Sequence, residues 1–189
     1  MSSDDPISSA PPRRRLAYFI SIRTYGTWLH GDGRGSVAPQ HHIYEMPKRE
    51  PAPGLVRFER SELKHPPVKL NRAQRAVCER TVIEACQHYR WNLKELHIRT
   101  EHLLVVLIAD RTPEFVMNTI KVNATRNMRR EGLLPQNVRP WSRHGSTRYL
   151  WTPEAAARAC RYVRDGQGER LIEELDAERC EEKQHGRVP

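Results

Sequence analysis

Residues 91–109 read WNLKELHIRTEHLLVVLIA. Two strand-forming runs, Trp91 to Arg99 and His102 to Ala109, flank the pair Thr100-Glu101, which is enough chain for a tight reversal. The second run is almost continuously apolar. A strand of that kind is covered on both sides, so it belongs at the centre of a sheet.

Working outward, a helix is expected on each side of this hairpin. Upstream, Asn71 can cap a helix running to about Tyr89, with Cys78, Val82, Ala85, Cys86 and Tyr89 as its apolar stripe. Downstream, Thr112-Pro113-Glu114 combines a capping hydroxyl, a proline at the first helical position and a first-turn carboxylate. That helix runs to about Arg130 and Gly132 is placed to end it. Val116, Ile120, Ala124 and Met128 form its inner face, and Asn118, Lys121, Thr125 and Arg129 form a polar stripe suited to solvent or to phosphate.

The flanks complete the pattern. Leu16 to Arg23 (LAYFISIR) is a core strand, and residues 138–151 (VRPWSRHGSTRYLW) give a short irregular one. Thr152-Pro153-Glu154 repeats the helix-start device, opening a helix with Ala156, Ala159, Cys160 and Val163 inward. Gly166 and Gly168 should stop it. The string βαββαβ predicts an α+β, ferredoxin-like antiparallel sheet with helices on one face, plus a C-terminal helix.

Around this domain, taken as residues 16–168, lie three segments of different character. Residues 1–15 have the composition of a disordered basic arm. Residues 38–69 are studded with prolines, which predict an insertion loop without a regular helix or central strand. His41 and His42 within it are loop histidines rather than a metal pair. Residues 169–189 form an acidic helical tail that can pack on its own domain or on a second subunit, so a homodimer is possible. Gly31, Gly33 and Gly35 lack the spacing of a phosphate-binding loop and mark a turn-rich connection.

Composition narrows the function classes. The chain has 189 residues, 32 Lys+Arg against 23 Asp+Glu, and a net charge of +9. That surplus favours a polyanionic partner, because basic groups on phosphates release counterions. Cys78, Cys86, Cys160 and Cys180 show no CxxC pairing, so buried free thiols are expected rather than disulfides or zinc. No signal-peptide core and no apolar run of membrane-spanning length is present in the sequence, so a cytoplasmic protein is expected, with no membrane partner.

Four segments, in this order and spacing, resemble the single-tyrosine DNA transposases of the HUH nuclease superfamily, in the REP-associated and insertion-sequence branch. They are RTYGTWLHGDGRGSV at 23–37, IRTEHLLVV at 98–106, RPWSRHGSTRYLW at 139–151 and ACRYVRDGQG at 159–168. The resemblance implies a single-stranded DNA endonuclease and strand transferase that works through a 5′-phosphotyrosine intermediate. It places the nucleophile at Tyr162, with Tyr149 as the next candidate. A phenol ionises near pH 10, so it needs help to attack near neutrality. A divalent ion, Mg²⁺ or Mn²⁺, on the scissile phosphate would supply it. Together with Lys121, Thr125 and Arg129 of the polar stripe, the candidate DNA-binding residues are Arg143, Arg148, Arg158 and Arg161, and the expected partner is single-stranded or hairpin DNA.

The metal motif departs from the family. There, two histidines separated by one apolar residue point to the same face of a central strand. Here His102 matches the first and Leu104 stands at the second. His97 on the preceding strand can substitute if it faces the same way. For the third ligand, Gln167 and Asp165 are the candidates. Two other readings stay open: a protein of the same fold that binds DNA without cleaving it, and a ferredoxin-like RNA-binding module. Against the latter, HLLVVLIA offers no aromatic for base stacking.

Overall fold

The structure, a computed structural model, describes residues 16–32 and 52–166. Four strands, β1 (Ala17–Thr24), β2 (Asn92–Ile98), β3 (His102–Ile108) and β4 (Trp141–Leu150), form one sheet. Their order is β2-β3-β1-β4, and every neighbouring pair is antiparallel. The helices α2 (Arg72–Tyr89) and α3 (Pro113–Arg130) make the two crossovers, giving the expected α+β, ferredoxin-like arrangement.

The period of two in each strand sorts side chains onto two faces. Ile20, Ile22, Leu103, Val105 and Leu107 point to one face and pack with Val82, Val116, Ile120 and Met128 of α2 and α3. Ala17, Leu104, Val106 and Leu150 point to the other, where they meet Val163 of α4 (Pro153–Asp165). The two crossover helices thus share a face and α4 covers the opposite one. This explains why β3 reads as unbroken apolar sequence. Each fully buried side chain of this kind contributes about 1.5–3 kcal/mol by leaving water.

Local signals account for the helix ends. Asn71 forms a capping box: its Oδ1 accepts from Gln74 N and its own N–H donates to Gln74 Oε1, both at 2.9 Å. Thr112 and Thr152 accept from Phe115 N at 3.3 Å and Ala155 N at 3.2 Å. Gly132, at φ +71°, follows α3 in the left-handed region.

Two expectations need correction. The proline-rich stretch was expected to lack a regular helix, yet α1 occupies Pro53–Ser61. Pro53 sits in its first turn, where a missing N–H leaves no bond unmade. The last strand is not short: β4 has ten residues, irregular only between the pairs Ile22–Gly145 and Thr24–Trp141. At Gly145, α3 and β1 come so close that a Cβ would lie 2.5 Å from Met117 Sδ and 2.6 Å from Ser21 O.

Cys78 and Cys86 are buried free thiols, as expected. Burial pushes them up to about 12 and about 11. The basic arm, His41, His42, Gln167, Cys180 and the acidic tail lie outside the described residues. Among the described residues, no helix is long and apolar enough to cross a membrane.

Candidate functional site

The site begins with how α4 is attached. Only Trp151 and Thr152 separate it from β4, so the chain turns back directly onto the sheet. Ala155, Ala156, Ala159 and Cys160 are small enough to let the helix lie close, and Val163 is fully buried beneath it. Arg164 fastens the far end, 3.7 Å from Glu95 of β2. Near that contact the Cys160 thiol is pushed up by burial and by the neighbouring Glu95 carboxylate.

Tyr162 falls off this apolar stripe and is 53% exposed. Its ring stands edge-on to Phe19, with centroids 6.0 Å apart and planes at 88°. Gly166 leaves room for that ring, since a Cβ there would lie 2.8 Å from Tyr162 Cδ2. Phe19 pairs across the sheet with Arg148. Arg158, one helical turn before Tyr162, completes a cleft of about 890 Å³ lined by Phe19, Ser146, Arg148, Arg158 and Tyr162 among others. An exposed phenol with two guanidinium-bearing side chains in one cleft can approach and hold a phosphodiester.

The remaining sequence candidates are distributed more widely. Arg161 and Arg143 are exposed but do not line this cleft, and Arg143 lies in the irregular part of β4. The ring of Tyr149 stands edge-on to Tyr18 at 5.3 Å, packed on the α2/α3 core, and stacks on Trp151 at 5.6 Å, although the residue also borders the cleft. Lys121, Thr125 and Arg129 line a second cleft beside α3 and make hydrogen bonds within the protein. Lys121 is 8% exposed, and its Nζ donates to Ser142 O at 3.1 Å and His144 O at 3.3 Å. Burial lowers its pKa. Thr125 Oγ1 donates to Lys121 O at 2.7 Å and accepts from Trp141 Nε1 at 3.1 Å. The Arg129 guanidinium donates to Gln136 O at 2.8 Å and Val138 O at 3.2 Å. All three tie α3 to the start of β4. A polar period on a helix marks a second internal contact as readily as a wet face, and the same three residues also line a cleft beside α3.

At the metal motif, His102 and Leu104 do share a face, the one α4 covers. Leu104 is 4% exposed and packs with Val106 and Val163. His102 pairs with Arg23, and Leu104 with Ser21. The Phe19 row under Tyr162 is therefore two same-face rows from His102, roughly 13 Å along the strands. His97 is the direct partner of Leu104 on β2, so it faces the same way, a diagonal neighbour of His102 at roughly 7–8 Å between backbones. Asp165 is exposed and lies 3.4 Å from Arg164 Nε.

These residues do not fit a two-imidazole site on one strand. Leucine has no donor atom, and its position is filled by apolar packing. Among the described residues no group of three His, Cys, Asp or Glu is placed to hold a metal ion.

Phe19 was missed in the sequence reading; the only signal for it was strand parity, which puts Phe19, Ser21 and Arg23 on the α4 face. Also missed were the exposed Arg126, Arg130 and Arg139 beside the Lys121–Trp141 seam, which carry no motif.

No family model and no curated protein matches the chain. Among solved structures, it is similar to a REP-associated tyrosine transposase bound to a REP hairpin, with 9% identity and a TM-score of 0.47 over 82% of this chain and 70% of that one. It is also similar to a candidate transposase from Deinococcus radiodurans R1, with 10% identity and a TM-score of 0.40 over 89% of this chain and 100% of that one.

Proposed function

We propose that this chain acts on single-stranded or hairpin DNA as a transposase-like strand-cleaving and strand-joining protein, with Tyr162 as nucleophile. The observation that carries the reading is the exposed Tyr162 phenol in a cleft with Arg148 and Arg158, on the sheet face it shares with His102. The family-like segments converge on that face: Arg23 beside His102, Arg148 opposite Phe19, and Tyr162 over Phe19.

In the proposed step, Tyr162 Oη forms a bond to phosphorus and the bond from phosphorus to the 3′ oxygen breaks. The phenolic proton is lost to solvent and the departing 3′ oxygen takes one up, leaving a 5′-phosphotyrosine and a free 3′-hydroxyl. No oxidation state changes, and the phosphotyrosine retains the bond for rejoining. Arg148 and Arg158 would neutralise the non-bridging oxygens as charge builds there. Phe19 and Gly166 would hold the ring. No step is assigned to a metal, since Leu104 removes a donor. In this family such an ion would activate the phosphate.

That leucine favours one second reading, a protein that binds DNA in the same cleft and turns over poorly or not at all. The two separate in one experiment. Purified protein is incubated with single-stranded DNA from the flanks of its own gene, and denaturant-resistant protein–DNA adducts are sought. An adduct that disappears in Tyr162→Phe supports cleavage. Binding without an adduct supports the second reading, and absence of DNA binding removes both.

A further inference from the structure

Helix α4 crosses all four strands, and its last turn meets the outermost one, where Arg164 lies 3.7 Å from Glu95 of β2. Val163 is the one buried residue of α4, and a surface ion pair holds little. The helix that carries Tyr162 is thus thinly anchored where the described chain ends, at Gly166 beside an open sheet edge. Round that edge, four residues from Glu95 and roughly 13 Å along β2, lies a cluster of aromatic rings. Tyr89 stacks on Trp91 with centroids 4.7 Å apart, and Phe115 stands edge-on to both, at 6.2 and 6.4 Å. Tyr89 is 38% exposed and Phe115 42%. One exposed ring is ordinary on a protein surface, whereas a joined group of them marks a contact. Trp91 is buried, and its Nε1–H has no acceptor among the described residues. Two exposed cations, Arg90 and Lys94, flank Trp91 in the chain, and neither has a carboxylate partner among the described residues. The β2–β3 ladder also skips Lys94, a bulge that discourages pairing of this edge with another strand.

We propose that residues 169–183 of the same chain dock on this aromatic cluster, passing round the β2 edge and strapping down the end of α4. This strap is independent of any DNA chemistry at Tyr162. The reach suffices: five residues lead from Gly166 to Leu171, up to roughly 17 Å of extended chain. The charges are complementary, because residues 169–183 carry seven Asp+Glu against three Lys+Arg and would face Arg90 and Lys94. The apolar surfaces match as well. Leu171 and Leu175 are four residues apart, on one side of a helix, with Ile172 beside them, and they would cover Tyr89 and Phe115. A tail carboxylate would give Trp91 Nε1 its acceptor. A single helix of that length has little stability alone in water, so its order would come from the docking.

The test is amide hydrogen exchange on the full-length protein, read by mass spectrometry over residues 169–183. Wild type should exchange there roughly tenfold or more slowly than an unstructured chain, and equally so at low and high protein concentration. Tyr89→Ser/Phe115→Ser should remove that protection and also speed exchange over residues 160–165, at the end of α4. Phe58→Ser, which removes a ring 62% exposed on α1, should change neither. A converse variant guards against unfolding of the first. Leu171→Ser/Leu175→Ser alters no described residue, and it should shift the assigned indole N–H resonance of Trp91. Free exchange of residues 169–183 in wild type, protection unchanged by Tyr89→Ser/Phe115→Ser, an equal loss in Phe58→Ser, or an unmoved Trp91 resonance would each overturn the proposal. Protection that grows with protein concentration would seat the segment on a second copy and overturn the intramolecular strap.

Discussion

Leu104→His tests the central geometry of the site most directly. Leu104 is 4% exposed between Val106 and Val163. Losing a buried leucine costs about 2–3 kcal/mol, and an imidazole without a partner adds about 1–3 kcal/mol. Hydrogen bonding to neighbouring polar groups offsets part of that, so a net loss of about 3 kcal/mol is expected without metal. In a domain of this size that lowers Tm by roughly 6–12 °C. The new imidazole would lie directly opposite His97 and two residues from His102, with all three on one face. A divalent ion such as Co²⁺ or Ni²⁺ would then bind. At about a hundred times its Kd it would return about 2.7 kcal/mol, most of the loss. Thermal unfolding with and without metal measures both numbers, and the visible spectrum of bound Co²⁺ reports the ligands. A folded variant with no metal-dependent rise in Tm would refute the shared-face reasoning. An equal rise in wild type would show that donors such as His97 or Asp165 already complete a site.

Other expectations follow from single contacts. Tyr162→Phe should abolish any covalent adduct while leaving DNA affinity and Tm near wild type, as measured by gel shift and thermal unfolding, because only the phenolic oxygen is removed. Gly145→Ala should cost about 1–3 kcal/mol by forcing Met117 and the β1 backbone apart, and a Tm equal to wild type would contradict the tight approach. Asn71→Ala should cost about 1 kcal/mol through loss of the capping box, read from the denaturation midpoint. Cys78 and Cys86 should resist alkylation near pH 8 until the protein unfolds. Their folded values lie above the ordinary 9.0. Their contribution to stability is therefore fully present below about pH 9 and is lost as pH rises toward 11–12. A rapid reaction of both thiols in the native protein would show that the α2 core opens readily.

The fold was legible because its signals are local and agree with one another. Asn71, Thr112 and Thr152 each announce a helix start by their own hydroxyl or amide, and the run HLLVVLIA specifies a central strand. The shared face of His102 and Leu104 followed from the period of two alone. The internal contacts of α3 were not legible, because Lys121 could be recognised as bonded within the protein only once the Ser142 and His144 carbonyls were in place. Helix α1 was hidden for a similar reason. Proline forbids a helix interior but favours a first turn, and composition does not say which of those Pro53 occupies.

The position of β1 has a consequence for how the protein is made. Its neighbours are β3 and β4, and Ala17 pairs with Leu150 at the far end of the domain. At ordinary rates of synthesis, on the order of ten seconds separate the appearance of those two partners at the ribosome. During that interval the edge of β1 that β4 will pair has no strand partner. Helix α4 comes later still, and Val163 is its one fully buried side chain. Ribosomes stalled short of residue 150 should therefore release chains that chaperones hold, and the cleft containing Tyr162 forms after the rest of the described sheet.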